Sequence, residues 1–200
     1  MKIKPFSQKR LKEQIDFLLE IDSLKTILRK TKILQEDRFE DAAQHSWHLA
    51  LAAMILAEYA NEKVNLSHVI KMLLLHDLIE IYCGDVFHYH KEADSQLASK
   101  EEEAAKKIFG LLPSDQGKKL LLLWMEFEKR ETPEAKFATS IDRWMPMLLH
   151  CHSEHKLWKK YSLTPTEILQ KNQQIGDGSS VLWQVAKEMI SDASRKGYFS

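Results

Sequence analysis

Turn-formers are scarce in this 200-residue chain: six glycines and five prolines are about half of average usage, which runs near 12%. Such a shortage argues for a mostly helical fold. Cysteine is nearly absent, with only Cys83 and Cys151 and no CxxC spacing. That excludes a disulfide framework and a zinc knuckle, and it points to a reducing, cytoplasmic compartment. Net charge is also missing, since 29 basic residues meet 29 acidic ones, so bulk charge lends no support to binding a nucleic-acid polymer. The longest apolar run, Leu49 to Ala57, falls far short of the ~20 residues a bilayer span needs. The N-terminal MKIKPFSQKR has no apolar stretch, so the chain is expected to be neither exported nor membrane-spanning. Alternating strand patterns, internal repeats and low-complexity linkers are likewise lacking. The expectation is a single all-α domain over residues 1–200, a compact bundle of about seven or eight helices with no significant sheet.

Helical periodicity and caps place the elements. Leu11, Ile15, Leu18 and Leu19 stripe a first helix, about 7–27, expected to pack that face on the core. After the basic stretch Arg29-Lys30-Thr31-Lys32, a polar connection leads to a second helix, about 42–61, with Leu49, Ala52, Ala53 and Leu56 facing inward. A third helix starts near Leu66 and runs to Gly84; being apolar nearly all round, it should be central and buried. A surface helix follows at about 94–109 with Leu97, Ala104, Ala105 and Ile108 inward, then one at about 116–129 burying Leu120, Leu123, Trp124 and Phe127. Thr132-Pro133 caps a helix containing Asp142, which Pro146 should kink or end. Thr164-Pro165-Thr166-Glu167 signals a capping box, and Ser179 or Ser180 opens a last helix, with 176–179 as the loop between.

Histidine is the overrepresented type, at nine residues. His76 directly precedes Asp77 inside the otherwise apolar stretch from Met72 to Ile81. An ionised carboxylate there is expensive to bury unless something positive compensates it. Adjacent helical side chains diverge by about 100°, so the pair converges only on an object held between helices, such as a divalent metal. His45 opens the second helix, and Asp142 sits among Phe137, Ala138, Ile141, Trp144 and Met145. Taken singly, each of these residues is also compatible with a satisfied core or surface position.

In order and context, RFEDAAQHSWHLAL, KMLLLHDLIEIYCGD and LWMEFEKRETPEAKFATSIDR resemble the HD-domain metal-dependent phosphohydrolases, in the branch that includes the 5′-deoxynucleotidases. The likeness spans about residues 22–150, with the helices of 164–196 packed on that core. It implies His45, His76, Asp77 and Asp142 as ligands of one divalent ion per chain, Mn²⁺, Fe²⁺, Co²⁺, Ni²⁺, Mg²⁺ or Zn²⁺. Glu80, four residues after His76, would orient or deprotonate a water at the ion. Asp85 resembles the residue that contacts the sugar or assists near the metal. Arg38 and Lys136 match positions that support phosphate, although each is also compatible with a solvated side chain. Gln44 stands where glutamate is common, and His48 shares the His45 face as a supporting or core histidine. His88 and His90 make a second metal conceivable, with a solvated loop the simpler reading. His150, His152 and His155 are expected at the surface.

The expected function is release of phosphate from nucleoside 5′-monophosphates, deoxyribonucleotides favoured. A dinuclear-iron HD oxygenase and a non-catalytic metal- or nucleotide-binding helical protein remain as alternatives. The partner is a small phosphate ester, with a homodimer open and Trp158 and Trp183 available to a core or an interface.

Overall fold

The computed structural model of the protein describes residues 8–85, 96–153 and 157–199. Helix α1 (Gln8–Ile21) passes through a 3₁₀ turn (Asp22–Thr26) into strand β1 (Leu28–Lys32), which pairs antiparallel with β2 (Phe39–Asp41). The ribbon pairs Leu28 with Asp41 and Lys32 with Phe39, with an irregular register between. It occupies what the sequence suggests is a polar connection. Two short strands among charged residues carry no apolar alternation, so periodicity could not have found them.

Helix α2 (Ala42–Leu56) starts where Asp41 accepts from the Gln44 backbone N–H while the Gln44 side chain accepts from the Asp41 N–H. This reciprocal cap gives Gln44 a structural task that glutamate would also perform. Helix α3 (Leu66–Leu75) is capped by Asn65 and buries Val69, Met72 and Leu73, but Leu74 is exposed. The expected single helix to Gly84 is interrupted: residues His76–Ile79 tighten into a 3₁₀ turn before the short α4 (Glu80–Cys83). Gly84 then ends the segment at φ 73°, where a side chain would be strained.

Helices α5 (Leu97–Phe109), α6 (Ser114–Lys129) and α7 (Pro133–His152) follow, then α8 (Leu157–Lys160), α9 (Pro165–Asn172), α10 (Ile175–Gly178) and α11 (Ser180–Arg195). Four-residue pieces raise the number of helical segments above the about seven or eight that periodicity suggests. Caps at Thr132, Thr164 and Ser179 form as expected. Pro146 does not end α7, which runs through it to His152. Its missing N–H only leaves the Asp142 carbonyl without its usual helical donor. The 176–179 stretch belongs largely to helix α10 instead of a loop. A Cβ on Gly178 would stand 2.3 Å from the Lys136 carbonyl oxygen, so the glycine lets α10 press onto α7.

Two apolar clusters make the core. One joins α2, α3, α6 and α7 to the C-terminal helices, with Phe137, Ile141, Met147, Trp158 and Ile190 at its centre. The other gathers Phe17, Leu24, Leu78, Ile79, Ile108, Phe109 and Trp124. Leu75 packs against both, which places the His76-Asp77 pair at their junction. The α1 stripe corrects an expectation: Leu11, Ile15, Leu18 and Leu19 are exposed, and Phe17 is the buried residue of that helix. Trp158 is core, stacked on Phe199 at 5.1 Å. No helix of the described residues is long and apolar enough to cross a membrane.

Candidate active site

The capped start of α2 delivers His45 into the interior, where it is 1% exposed. Its Nε2 lies 3.1 Å from Asp142 Oδ1. Asp142 reaches this point because α7 turns its polar positions 139, 142 and 143 toward one cleft. On the neighbouring 3₁₀ turn, His76 Nδ1 donates to the Leu73 carbonyl at 2.9 Å, which aims Nε2 inward. That nitrogen sits 3.0 Å from Asp77 Oδ1 and 3.5 Å from Asp142 Oδ1.

One ligand atom from each of His45, His76 and Asp142 lies within 4.8 Å of the others, with Asp77 alongside. His76 Nε2 is buried and finds no aligned hydrogen bond despite the carboxylate oxygens beside it. Imidazole nitrogens and acceptor-only carboxylates converging on one dry point are the donor set a divalent cation needs. The residues present therefore fit a metal ion.

The electrostatics report the same crowding. Burial works against the Asp142 charge, but the hydrogen bond from His45 and the His76 imidazole close beside it hold its carboxyl well below the usual range. Burial likewise opposes the His76 imidazolium, yet the Asp77 charge and the Asp142 carboxylate beside it push it up to about 9. Glu80 is pushed up to about 9 by burial first and by the Asp77 charge second, with Arg29 partly opposing. Asp85 is raised for the same leading reason, burial.

Glu80 and Asp85 line the cleft with His76, Asp77 and Asp142, so the structure brings all of them together around the predicted ligands. Arg38 and Lys136 do not join them. Arg38 is half-exposed, pairs with Glu36 at 2.5 Å and donates to Gln44 at 3.2 Å. Lys136 is half-buried on the first turn of α7, away from the cleft lining. His48 stacks beside Trp47. His150 corrects the surface expectation: it is 5% exposed, edge-on to Trp158, and borders the cleft. His152 is exposed as expected, and His88, His90 and His155 lie outside the described residues.

Two charged residues escape a reading of the sequence. Arg29, on β1, borders the cleft and donates from Nη1 to Asp77 Oδ2 at 2.9 Å. Burial disfavours its charge, but the Asp77 and Glu80 carboxylates more than offset that and raise its pKa. Glu40, on β2, is 4% exposed, with Oε1 3.5 Å from Arg29 Nε and 3.4 Å from His45 Nδ1. No pattern in the sequence marks them; only the pairing of β1 with β2 turns Arg29 and Thr31 inward while Leu28 and Lys30 are exposed.

Comparison with known proteins agrees with this arrangement. The HD domain profile matches residues 21–183. The human protein named 5′-deoxynucleotidase HDDC2 is 30% identical over 139 residues, which cover 69% of this chain and 67% of that one. Its mouse counterpart is also 30% identical, over 64% of this chain and 63% of its own length. A solved structure described as a predicted metal-dependent phosphohydrolase from Magnetospirillum magnetotacticum MS-1 superposes with a TM-score of 0.91. It is 42% identical over 99% of this chain and 100% of its own. A conserved hypothetical protein from Pyrococcus furiosus shares the fold, with a TM-score of 0.61 at 22% identity over 90% of this chain and 99% of its own. The chain belongs to the HD-domain family, in its branch of metal-dependent phosphoric monoester hydrolases.

Proposed function

We propose that the protein releases phosphate from nucleoside 5′-monophosphates, deoxyribonucleotides favoured, using His45, His76, Asp77 and Asp142 to hold one divalent ion. The observation that carries this reading is the cleft that His76, Asp77 and Asp142 line together with a protonated Glu80 carboxyl and a buried guanidinium, with His45 converging on the same ligand atoms from behind. When bound, the ion supplies Lewis-acid polarisation of a phosphate oxygen and eases loss of a proton from water.

The chain's own groups do the rest. Glu80 stands one turn beyond the ligand pair, where its carboxyl, in the ionised form that a positive charge held by His76, Asp77 and Asp142 would favour, would accept a proton from the attacking water. Arg29 holds the phosphate: its guanidinium is kept in place and charged by Asp77, and it reaches the cleft that Arg38 does not. A planar fork suits phosphate oxygens better than a lysine does. Asp85, at the mouth behind Gly84, addresses the sugar.

The test is a phosphate-release screen over ribo- and deoxyribonucleoside 5′-monophosphates with Mn²⁺, Co²⁺ or Mg²⁺ supplied. Release that a chelator abolishes, faster for deoxyribonucleotides, is expected. No release from any nucleotide with any ion overturns the reading.

A further inference from the structure

We propose that Glu40 is a positioning residue for the metal centre, setting through Nδ1 of His45 which imidazole nitrogen faces the ion and tying the ribbon to Asp77 through Arg29. The inference rests on the ligand set proposed above, and it concerns a residue outside that set. A neutral imidazole has one N–H and one lone pair. Without an ion His45 Nε2 donates to Asp142 Oδ1, 3.1 Å away; with a cation shared between that nitrogen and the carboxylate, Nε2 would instead offer its lone pair. The proton then sits on Nδ1 and needs an acceptor. Glu40 Oε1 stands 3.4 Å from it.

The same oxygen stands 3.5 Å from Arg29 Nε, and both of these atoms are buried without an aligned hydrogen bond. Two orphaned partners facing each other beside a ligand are a costly arrangement unless the site uses it. Arg29 continues the chain of contacts to Asp77 Oδ2 at 2.9 Å. One carboxylate on β2 therefore braces His45 on α2 and, through β1, Asp77 on the 3₁₀ turn. The local sequence makes this possible: Asp41 takes the N-cap of α2, leaving the preceding Glu40 free to turn inward. Outer partners of this kind orient a ligating imidazole and raise its basicity, and losing one typically weakens metal binding about 10- to 100-fold.

The test titrates the metal-free full-length protein with Co²⁺, read by its visible absorption band, in the parent and in Glu40→Ala, Glu40→Asp and Glu40→Gln, with circular dichroism as the check on folding. Alanine should weaken Co²⁺ binding about 10- to 100-fold. Aspartate keeps the charge but is one methylene too short for Nδ1, and should weaken it about fivefold or more. Glutamine loses the charge but keeps an acceptor, and should stay within about threefold of the parent. Parental affinity in both the alanine and aspartate variants overturns the proposal, and so does the reverse order, with aspartate parental and glutamine weak. If the alanine variant does not fold, the aspartate and glutamine pair still decides. A parent that shows this order but releases no phosphate overturns the nucleotidase reading and leaves the role of Glu40 intact.

Discussion

Helix α7 has two sides that obey different rules. On its packed side Phe137, Ala138, Ile141 and Met147 are buried, and the Ser140 hydroxyl is bonded to the Ile175 carbonyl at 2.8 Å. On its cleft side, Thr139 and Arg143 each bury a polar atom without an aligned partner. Across the described residues, Arg29, His76, Glu80 and Arg130 on the cleft walls share that condition. A folded interior normally satisfies such groups; on the packed side of α7 only the Trp144 indole N–H is left without a partner, while the cleft side is arranged for groups it must bind. Mutations on the two sides should accordingly fail in different currencies, chemistry on one and stability on the other.

The sharpest break of that contrast is at the ligands. His76→Ala and Asp77→Ala should each lose bound metal, and turnover with it, while the parent retains about one ion per chain. Elemental analysis of purified protein checks this, and full occupancy in both variants would sink the assignment. Next in size is Glu80→Ala, which should keep metal and fold but lose about 10²-fold or more in kcat, the range for a positioned acid or base. Near-parental turnover returns Glu80 to a structural role.

The contrast also explains what the sequence made legible. Caps at Thr132, Thr164 and Ser179 and the buried faces of α2, α5, α6 and α7 follow local rules, and they form as the residues indicate. The α1 stripe follows the same rule, yet Leu18 and Leu19 are exposed: periodicity marks an apolar face without saying what covers it. His76 and Asp77 stood out because they interrupt an apolar run. Arg29 and Glu40 did not, because they sit among other charged residues and only the pairing of β1 with β2 turns them inward. A buried charge is visible in sequence when its neighbours are apolar and invisible when they are not.

On the packed side, Gly178→Ala should act on stability alone. The new methyl meets the Lys136 backbone, which cannot step aside as a side chain would, so a loss of about 1–3 kcal/mol is expected. Metal content and KM should hold in the folded fraction, and a thermal melt beside elemental analysis separates the two readouts. A drop in metal content larger than the drop in folded fraction would show that the two sides of α7 are not independent.

A smaller effect should appear with pH in the metal-free protein. His76 and Glu80 both have folded pKa values near 9, above their ordinary 6.5 and 4.5. The folded state therefore holds their protons more tightly than the unfolded chain does. That contribution is fully present below the unfolded values and is lost as pH rises through about 9, so Tm should fall from about pH 7 to about pH 9.5. A bound divalent ion takes the place of those protons, so the decline should flatten when metal is added. An unchanged slope with and without metal would separate these two groups from the ion.

The smallest expected effect is the most discriminating for phosphate recognition. Arg38 and Arg29 are both arginines ahead of His45, but Arg38 spends its guanidinium on Glu36 and Gln44 at the surface, whereas Arg29 is buried against Asp77 at the cleft wall. A half-exposed pair of the Arg38 kind is worth about 0–1 kcal/mol. Arg38→Ala should therefore leave metal content unchanged and kcat/KM for the best nucleotide within about twofold of the parent, because surface substitutions of this sort stay within about 0.5 kcal/mol. Arg29→Lys gives the matching arm: a single ammonium replaces a two-pronged contact, and a charge-assisted hydrogen bond to phosphate is worth about 1.5–3 kcal/mol, so kcat/KM should fall about tenfold or more. If Arg38→Ala instead loses tenfold while Arg29→Lys is unchanged, the phosphate is held from the 33–38 loop, and that loop must close over the cleft when substrate binds.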